Sequence, residues 1–421
     1  MPLLKSWVAS ANDASNPFPL NNLPYGVFST PGSDPRCGVA IGDRILDVQA
    51  AEANGLIDLT DVSLFELPFW NDLMEEGPAV WTALRARLTE LLAEGSAEQD
   101  KVEPLLVPMD EAEMHMPFMV SEFTDFYASR NHATNIGTMF RGKENALPPN
   151  WLHIPIGYNG RASTVVVSGT PITRPNGQSK APDADAPGFG PSKRLDIELE
   201  MGAIVGTGNP MGQPITVAQA DTMIFGYVLL NDWSARDIQP WEYQPLGPFQ
   251  AKAFATSISP WIVTRAALEP FRTSTPPREK ELLPYLTEPG PMLYDIALTV
   301  EMAPQDGEPK VICETNYDQM YYSAAQQLTH HASSGCAMMP GDLLGSGTIS
   351  GPEKHQFGSL QELTWGGKEP FELGDGQSRT FIEDGDTLTL SGHAQGDGYR
   401  VGFGQCTTTI LPAVAFPEQG D

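Results

Sequence analysis

"RLDIELEMGAIVG", residues 194–206, alternates apolar and acidic side chains in its first half and is almost wholly apolar in its second half. A period of two is typical of a β-strand, whose successive side chains point to opposite faces. The two faces of the alternating half differ in polarity, with Leu195, Ile197 and Leu199 on one and Asp196, Glu198 and Glu200 on the other. The stretch therefore predicts a strand on which Glu198 and Glu200 point the same way, with Cα atoms about 6.7 Å apart.

Two interpretations of these glutamates are open from the residues alone. Like charges held this close repel each other unless water screens them or a cation lies between them. An exposed strand face is the simpler and favoured interpretation. Further acids stand in similar settings, since Asp232 ends the apolar run "MIFGYVLLND" and Asp125 begins "DFYASRNHATN". Four carboxylates without a cysteine would suit a hard cation such as Ca²⁺ or Mg²⁺, but the sequence does not fix whether they converge.

The rest of the chain is predicted to be rich in strands. Forty glycines and 38 prolines indicate many turns. Residues 25–48 predict two short strands around a Pro-Gly turn, whereas the polar residues 177–193 predict a loop. Other β-branched or alternating runs are "STVVVSGTPI", "DIALTVEM", "TLTLSG" and "YRVGFGQC".

Two stretches predict helices. Residues 66–100 carry apolar positions at helical spacing, with Gly95 as the expected C-terminal stop. Residues 318–335 form the second, with Asp318 as the expected N-cap and Gly335 as the stop.

Length and charge limit the possible organisation and partners. A chain of 421 residues exceeds the size at which a single core usually stops growing, so two domains are expected, 1–117 and 118–421. With 53 acidic and 25 basic residues the formal charge is -28, which disfavours nucleic acid and anionic membrane surfaces as partners.

Several common sites are excluded by their missing motifs. The sequence has no P-loop, no HExxH and no GxSxG. "DADAPG" from Asp183 resembles the start of an EF-hand loop, but Arg194 stands at the twelfth position, where a bidentate glutamate is required.

A cytoplasmic location is expected. The first residues contain no apolar run of secretory length, and no stretch approaches the roughly 18 apolar residues of a membrane span. The cysteines are widely scattered and predict free thiols: Cys37, Cys313, Cys336 and Cys406.

Bases and cations occur in two stretches. His132 follows Asp125 by seven residues, between Arg130 and Arg141 and close to Tyr127. A lone histidine is more often structural than catalytic, although these neighbours favour a site. The second stretch, residues 231–254, contains Arg236, Gln239, Tyr243 and Lys252, and by itself it is typical of a solvated loop.

Six segments, in this order, resemble the fumarylacetoacetate hydrolase family over most of residues 118–410. They are "TDFYASRNHATNIGTMFRGKENALPPNWLHIPIGYNGRAS", "LDIELEMG", "FGYVLLNDWSARDIQPWEYQPLGPF", "QQLTHHASSGC", "PGDLLGSGTISG" and "GDGYRVGFGQC". The resemblance implies a mainly β fold with some α, in which a small SH3-like N-terminal β-barrel domain precedes a larger C-terminal β-roll domain. It also implies a cytosolic homodimer that hydrolyses 4-fumarylacetoacetate, a dianionic diketo acid, to fumarate and acetoacetate in tyrosine and phenylalanine catabolism.

The same resemblance implies a role for each matching residue. His132 would be the general base, Glu362 would orient it, and Arg236, Gln239 and Lys252 would stabilise developing charge. The metal ligands for Ca²⁺ (or Mg²⁺) would be Asp125, Glu198, Glu200 and Asp232, and a second cation, Mg²⁺, is suggested near Asp232, Lys252 and Thr256. Substrate contacts would come from Tyr127, Arg141, Tyr158, Gln239, Tyr243 and Thr348.

Departures and alternatives accompany this resemblance. Asn159 stands where animal members carry histidine, and Ala251, Ala253 and Ala255 replace glycine or serine. An acylpyruvate hydrolase or a keto-acid decarboxylase on the same fold is the first alternative. A non-catalytic calcium-binding or scaffolding protein is the second, and the intact set of base and cationic residues disfavours it.

Overall fold

The computed structural model describes residues 2–374 and 376–417. Its strands, in chain order, are β1 (Tyr25–Ser29), β2 (Arg36–Ile41), β3 (Arg44–Asp47), β4 (Leu106–Pro108), β5 (Glu113–His115), β6 (Phe123–Phe126), β7 (Gly157–Asn159), β8 (Val165–Val167), β9 (Ile172–Thr173), β10 (Asn176–Ser179), β11 (Gly188–Pro191), β12 (Leu195–Asp196), β13 (Leu199–Val205), β14 (Ile224–Asp232), β15 (Ser234–Ala235), β16 (Thr256–Ile258), β17 (Val263–Thr264), β18 (Arg272–Thr273), β19 (Leu293–Tyr294), β20 (Ala297–Ala303), β21 (Lys310–Asn316), β22 (Leu343–Gly345), β23 (Phe371–Gly374), β24 (Gln377–Arg379), β25 (Thr387–Gln395) and β26 (Arg400–Leu411).

The helices are short, and the longest of the described chain, Pro78–Leu92, has 15 residues. The α-helices are α1 (Val48–Ala53), α2 (Asn71–Glu75), α3 (Pro78–Leu92), α4 (Gln99–Val102), α5 (Arg130–Arg141), α6 (Val217–Met223), α7 (Gln239–Glu242), α8 (Gln250–Ala253), α9 (Arg265–Leu268), α10 (Ala324–Ala332) and α11 (Leu360–Leu363). Single 3-10 turns lie at Ala9–Asn12, Glu103–Leu105, Met109–Glu111, Lys143–Asn145, Ala162–Thr164, Glu269–Phe271, Pro284–Leu286, Tyr317–Gln319 and Lys354–Gln356.

A mixed sheet at the centre of the chain positions the residues of interest. Its strands follow the order β7-β6-β22-β13-β14-β16-β8, and β17 also pairs with β14. β13 and β14 are antiparallel neighbours, whereas β22 and β6 pair in parallel. The register sets Asp125 opposite Tyr158 on one side and Gly345 on the other, and it sets Asp232 opposite Thr256.

Both faces of this sheet are covered, which explains the continuous burial of β13 and β14. Met201 and Leu229 face the C-terminal core, where β25 and β26 also contribute. Ile204, Val228 and Leu230 face a second core that they share with the N-terminal segment. The N-terminal segment therefore covers one face of the sheet that carries the site.

The N-terminal segment forms an antiparallel sheet in the order β4-β3-β2-β1-β5. The mainly β fold class with its small N-terminal and larger C-terminal parts is thus confirmed. Residues 25–48 form three strands and not the predicted two, because Gly42 at φ +60 turns the chain between β2 and β3. β4 and β5 come from a stretch of residues 102–123 without a clear period.

Three local predictions are corrected. Residues 66–100 contain α2, α3 and the start of α4, and Gly77, which has φ +82, separates the first two. The helix α3 ends at Leu92, before the predicted stop at Gly95. In residues 318–335 the α-helix starts only at Ala324, because the Ser323 hydroxyl and the Gln326 side chain form a capping box. Asp318, the predicted N-cap, lies in a 3-10 turn. The predicted loop 177–193 is in part the hairpin of β10 and β11.

The cysteines and the hydrophobicity of the helices were also predicted from the sequence. Each cysteine is a free thiol, as predicted: Cys37, Cys313, Cys336 and Cys406. Within residues 2–374 and 376–417, no helix has the length and apolar character to cross a membrane.

The tight packing of α5 generates the first testable prediction. Glycine in a helix interior usually costs about 0.5–1 kcal/mol relative to alanine. In Gly137→Ala, however, the added methyl would meet the Ala146 carbonyl oxygen at 1.8 Å. Overpacking of this kind typically costs about 1–3 kcal/mol, so we expect a net loss in the free energy of unfolding, measured by urea titration.

Gly188→Ala in β11 is the matched control, since among the described residues no group other than its chain neighbours lies within 4 Å of the position that its Cβ would take. Its unfolding free energy should stay within about 0.5 kcal/mol of the wild type. A Gly137→Ala protein more stable than the wild type would show that α5 and the segment after it are not packed as described.

Candidate active site

Four carboxylates converge on one buried position. Their oxygens lie within 4.8 Å of one another, and they come from Asp125, Glu198, Glu200 and Asp232. None of the four residues is more than 6% exposed. The interpretation of the glutamates as an exposed strand face is therefore wrong.

Strand order explains why distant acids meet. β6, β22, β13 and β14 are neighbours in the central sheet, and Gly345 of β22 lies between the strands of Asp125 and Glu200. A Cβ at Gly345 would be 2.9 Å from Glu200 Oε2 and 3.0 Å from Asp125 Oδ1. Glycine at this position allows the two carboxylates to approach over the intervening strand.

The alternating stretch is not one uninterrupted strand. Pairing breaks between β12 and β13, and the Glu198 N–H donates to the side chain of Asn231 at 3.1 Å. Asp196 does not belong to the group of converging carboxylates. Its oxygens instead accept hydrogen bonds from Arg236 and from the backbone of Leu360 and Gln361.

Two cations compensate one side of the cluster. Lys252 Nζ lies 2.5 Å from Glu198 Oε2 and 2.6 Å from Asp232 Oδ2. Arg236 Nη2 lies 2.8 Å from Glu198 Oε1. Burial by itself would raise the pKa of Glu198, but Lys252 and Arg236 lower that pKa to about 2. Burial would likewise lower the pKa of Lys252, but Asp232 and Glu198 raise it, so the ammonium stays charged.

The other side of the cluster lacks this compensation. Burial, and then the charge of Asp232, raises the pKa of Asp125 well above its usual range. Burial, and then the charge of Asp125, does the same to the pKa of Glu200. Asp125 Oδ1 and Glu200 Oε1 have no hydrogen-bond partner among the residues that the structure describes.

These features fit a divalent cation. A buried carboxylate oxygen without a partner is costly, and a metal ion is one of the few groups that can offset the cost. The converging donors are all carboxylate oxygens, which hard cations prefer over zinc. The cluster therefore has the composition of a site for a divalent metal.

Two hydroxyl groups border the cluster. The Tyr158 hydroxyl donates to Asp232 Oδ2 at 3.2 Å, and the Thr256 hydroxyl donates to Asp232 Oδ1 at 3.0 Å. Burial, and then the charge of Asp125, raises the pKa of Tyr158, so its phenol stays protonated as a donor.

A histidine–carboxylate pair adjoins the cluster. His132 Nδ1 lies 2.6 Å from Glu362 Oε2, and both side chains are buried. Burial by itself would raise the pKa of Glu362, but His132 and the hydrogen bonds from Asn135 and Ser359 lower it. Because the ionised carboxylate can only accept, Nδ1 carries the proton and Nε2 is left as the basic nitrogen.

Three other predicted residues differ in their contacts. The Tyr127 ring contacts the His132 ring edge-to-face, with centroids 5.5 Å apart. Thr348 is buried, and its hydroxyl has no partner within the described ranges. Gln239 Oε1 lies 3.5 Å from Arg236 Nη1. Tyr127 therefore contacts the histidine, and Gln239 contacts Arg236.

Two predicted substrate contacts lie further out. Arg141 donates to the carbonyls of Asn145 and Ala146 at the end of α5. Tyr243 is 46% exposed, and its hydroxyl accepts from the Gln244 side chain. The structure does not bring either residue into hydrogen-bond contact with the carboxylate cluster.

Sequence reasoning overlooked the residues that support the site. Glu242 accepts the N–H groups of Phe249, Gln250 and Ala251 at 2.8–3.0 Å and so holds the start of α8, which carries Lys252. No local capping pattern reveals this contact, since Glu242 stands seven residues before the first amide that it binds. Ser350 and Ser359 both donate to Glu362 Oε2, and only the latter has a local signal, as the N-cap of α11.

The chain is a hydrolase, and a buried histidine–glutamate pair and a carboxylate cluster form its candidate active site. Residues 122–411 match the family model described as "Fumarylacetoacetate (FAA) hydrolase C-terminal", and residues 21–117 match "Fumarylacetoacetase N-terminal". The chain belongs to the fumarylacetoacetate hydrolase family.

Relatives of full length support this membership. A fumarylacetoacetase of Bos taurus is 51% identical over 98% of this chain and 100% of that protein. Those of Homo sapiens and Arabidopsis thaliana are 50% and 48% identical, over 97% and 98% of this chain and 99% and 100% of theirs.

A solved structure shares the fold at lower identity. It is a fumarylacetoacetate hydrolase from Exiguobacterium antarcticum, with a TM-score of 0.54 and 18% identity over 93% of this chain and 99% of that chain.

Replacing one cluster carboxylate tests the cation site. In chelated protein we expect Glu200→Gln to raise the Tm at neutral pH. The raised pKa of Glu200 means that the fold penalises its ionised form, which the unfolded chain prefers at this pH, and the neutral amide removes that penalty. The wild type should gain about 2.7 kcal/mol of stability at a Ca²⁺ or Mg²⁺ concentration 100-fold above the Kd. The variant should lose this gain, as measured by calorimetry with and without the ion.

Glu314→Gln provides the control, because Glu314 is exposed on β21 and outside the cluster. It should respond to the ion like the wild type. A full response in Glu200→Gln would place the cation site elsewhere.

Proposed function

We propose that this protein hydrolyses the carbon–carbon bond of 4-fumarylacetoacetate to give fumarate and acetoacetate. One observation carries the proposal: a buried His132–Glu362 pair stands next to a buried cluster of four carboxylates. Curated fumarylacetoacetases about half identical over nearly the whole chain support the choice of substrate.

His132 prepares the water. Water is too weak a nucleophile at neutral pH, so its proton must leave as it attacks the carbonyl carbon. Nε2 of His132 accepts that proton, and the Glu362 carboxylate stabilises the resulting imidazolium from the other nitrogen. Base assistance typically contributes about 10²–10⁴-fold to the rate, which is too little for this bond on its own.

The leaving carbanion needs the larger share of stabilisation. Breaking the bond leaves acetoacetate as an enolate, with its charge on oxygen. When bound, a divalent cation supplies a Lewis acid for the substrate oxygens. Arg236 and Lys252 hold permanent positive charge in a buried setting, and Gln239 adds an amide donor. Each such preorganised donor is worth about 3 kcal/mol in related sites.

The proton returns to the leaving group at the end of the reaction. The imidazolium of His132, formed when the water loses its proton, supplies the proton that converts the enolate to acetoacetate. This transfer restores neutral His132 for the next turnover.

The proposed substrate is a dianion, whereas the protein has a formal net charge of -28. Positive charge within the site must therefore attract the substrate against the repulsion of the whole protein. Within the site, the Tyr127 and Thr348 hydroxyls are the proposed donors to substrate. Tyr158, whose hydroxyl donates to Asp232, is proposed to line the pocket. Arg141 and the exposed Tyr243 would meet the outer end of the molecule.

The finer assignments are also proposals. Ca²⁺ (or Mg²⁺) is the proposed ion at the carboxylate cluster, and a second Mg²⁺ is proposed near Asp232, Lys252 and Thr256. Lys252 can join that second site only through its carbonyl oxygen, since its ammonium group repels a cation. A cytoplasmic homodimer in tyrosine and phenylalanine catabolism, with domains at 1–117 and 118–421, completes the proposal.

The substrate is tested by direct assay. We expect the absorbance of 4-fumarylacetoacetate to fall with catalytic turnover, and a chelator to slow it by at least 100-fold. An acylpyruvate and a β-keto acid serve as comparison substrates. A higher kcat/KM for either of these would reject the proposed substrate and leave the family unchanged.

The base is tested by His132→Ala. We expect kcat to fall by about 10²–10⁴-fold, because the attacking water then keeps its proton until a weaker base removes it. The Ca²⁺ response of the Tm should persist, since His132 is not among the cluster residues. His153→Ala, at an exposed position, should retain the wild-type rate. Wild-type turnover by His132→Ala would remove the base assignment.

A further inference from the structure

We infer that Asp196 is a positioning residue whose buried carboxylate holds two parts of the active site in place. One is Arg236, beside the carboxylate cluster, and the other is the helix that carries Glu362. The inference deepens the proposed function and rests on it for the roles of Arg236 and Glu362. Asp196 has no exposed surface and lies outside the group of four converging carboxylates.

One set of contacts fixes Arg236. Its Nε donates to Asp196 Oδ2 at 2.8 Å, while its Nη2 lies 2.8 Å from Glu198 Oε1. The planar guanidinium is therefore held at two edges by two carboxylates, which leaves it little freedom to rotate. Without Asp196, the guanidinium would keep only Glu198 and the longer contact of 3.5 Å from its Nη1 to Gln239 Oε1.

A second set of contacts fixes the helix that carries Glu362. The Leu360 N–H donates to Asp196 Oδ1 at 2.7 Å, and the Gln361 N–H donates to Oδ2 at 2.9 Å. These are the first residues of α11, and Glu362 is the next residue along it. The carboxylate of Asp196 thus anchors the turn from which Glu362 reaches His132.

Both Asp196 oxygens are saturated by these contacts. Oδ1 also accepts the Ile197 N–H at 2.8 Å, so each oxygen has two donors. No acceptor capacity is left for a substrate or a cation. Burying an ion pair gives little net stability, whereas it can select one arrangement of the groups around it.

Asp196→Asn tests whether the contacts of this carboxylate hold Arg236 and α11 in place. Asn in place of Asp196 keeps the size of the side chain but presents an NH₂ group to one pair of donors. Either orientation sets this NH₂ against backbone N–H groups or against the Arg236 Nε–H. Asp196→Asn must therefore release Arg236, α11 or both.

The test compares Asp196→Asn with Asp386→Asn. Asp386 is equally buried and accepts hydrogen bonds from Arg379 Nε, Arg379 Nη2 and the Glu383 N–H at 2.8–2.9 Å, just before β25. We expect Asp196→Asn to lower kcat for 4-fumarylacetoacetate by about 10²–10³-fold with KM within about threefold. Asp386→Asn should keep kcat within about threefold even if its Tm falls equally.

A second variant covers the case in which Asp196→Asn does not fold. Asp196→Glu keeps the charge but places the carboxylate one methylene further out, and we expect its kcat to fall at least tenfold. A wild-type kcat in either Asp196 variant would overturn the inference. An equal loss in Asp386→Asn would do so as well, because it would reduce the effect to general destabilisation.

Crystal structures of the wild type and of the folded Asp196 variant provide a readout that does not depend on turnover. We expect Arg236 to move from Glu198, or the His132 Nδ1 to Glu362 Oε2 distance to exceed about 3.5 Å, the limit of a hydrogen bond. Undisplaced groups would overturn the inference. A wild type without turnover, together with displaced groups in the variant, would reject the proposed function and keep the positioning role.

Discussion

The burial of four carboxylates at one point is the constraint on which the rest of the active site depends. Bringing these charges out of water and next to one another is strongly unfavourable unless positive charge accompanies them. Lys252 and Arg236 meet this need on the side of Glu198 and Asp232. The surrounding sheet must therefore hold both the acids and their positively charged partners in fixed positions. The complete burial of β13 and β14 is consistent with this requirement.

The negative charge of the cluster is compensated on the side of Glu198 but not on the side of Asp125 and Glu200. The pKa of Glu198 is lowered, whereas the pKa values of Asp125 and Glu200 are raised by burial and by the neighbouring carboxylates. The protein thus fixes its own positive side chains at one end of the cluster, and the other end has the composition of a site for a divalent cation. Arg236 then joins the cluster to Asp196, and Asp196 joins α11 with its Glu362.

Much of the candidate site could be predicted from motifs. Local pattern indicates the acids, His132 and residues 231–254 as candidates, and the resemblance to a family assigns their roles. The structure places the four acids in one buried cluster, with Arg236 and Lys252 beside it. Local pattern alone favoured an exposed strand face for Glu198 and Glu200, which was wrong because hydrophobic alternation does not show what covers the polar face. The helix start at Asp318 was wrong because the capping box at Ser323 offers two hydrogen bonds.

The amino-acid sequence was sufficient for the mainly β class, the two-residue period of the strands and the family, since these depend on neighbouring residues and on ordered motifs. The folded chain was needed to show that His132 meets Glu362, 230 positions away, and that Asp196 binds α11 and not the cluster. Such contacts depend on the order and register of strands that are distant in the chain. That order is set by the packing of the whole core, and no local pattern encodes it.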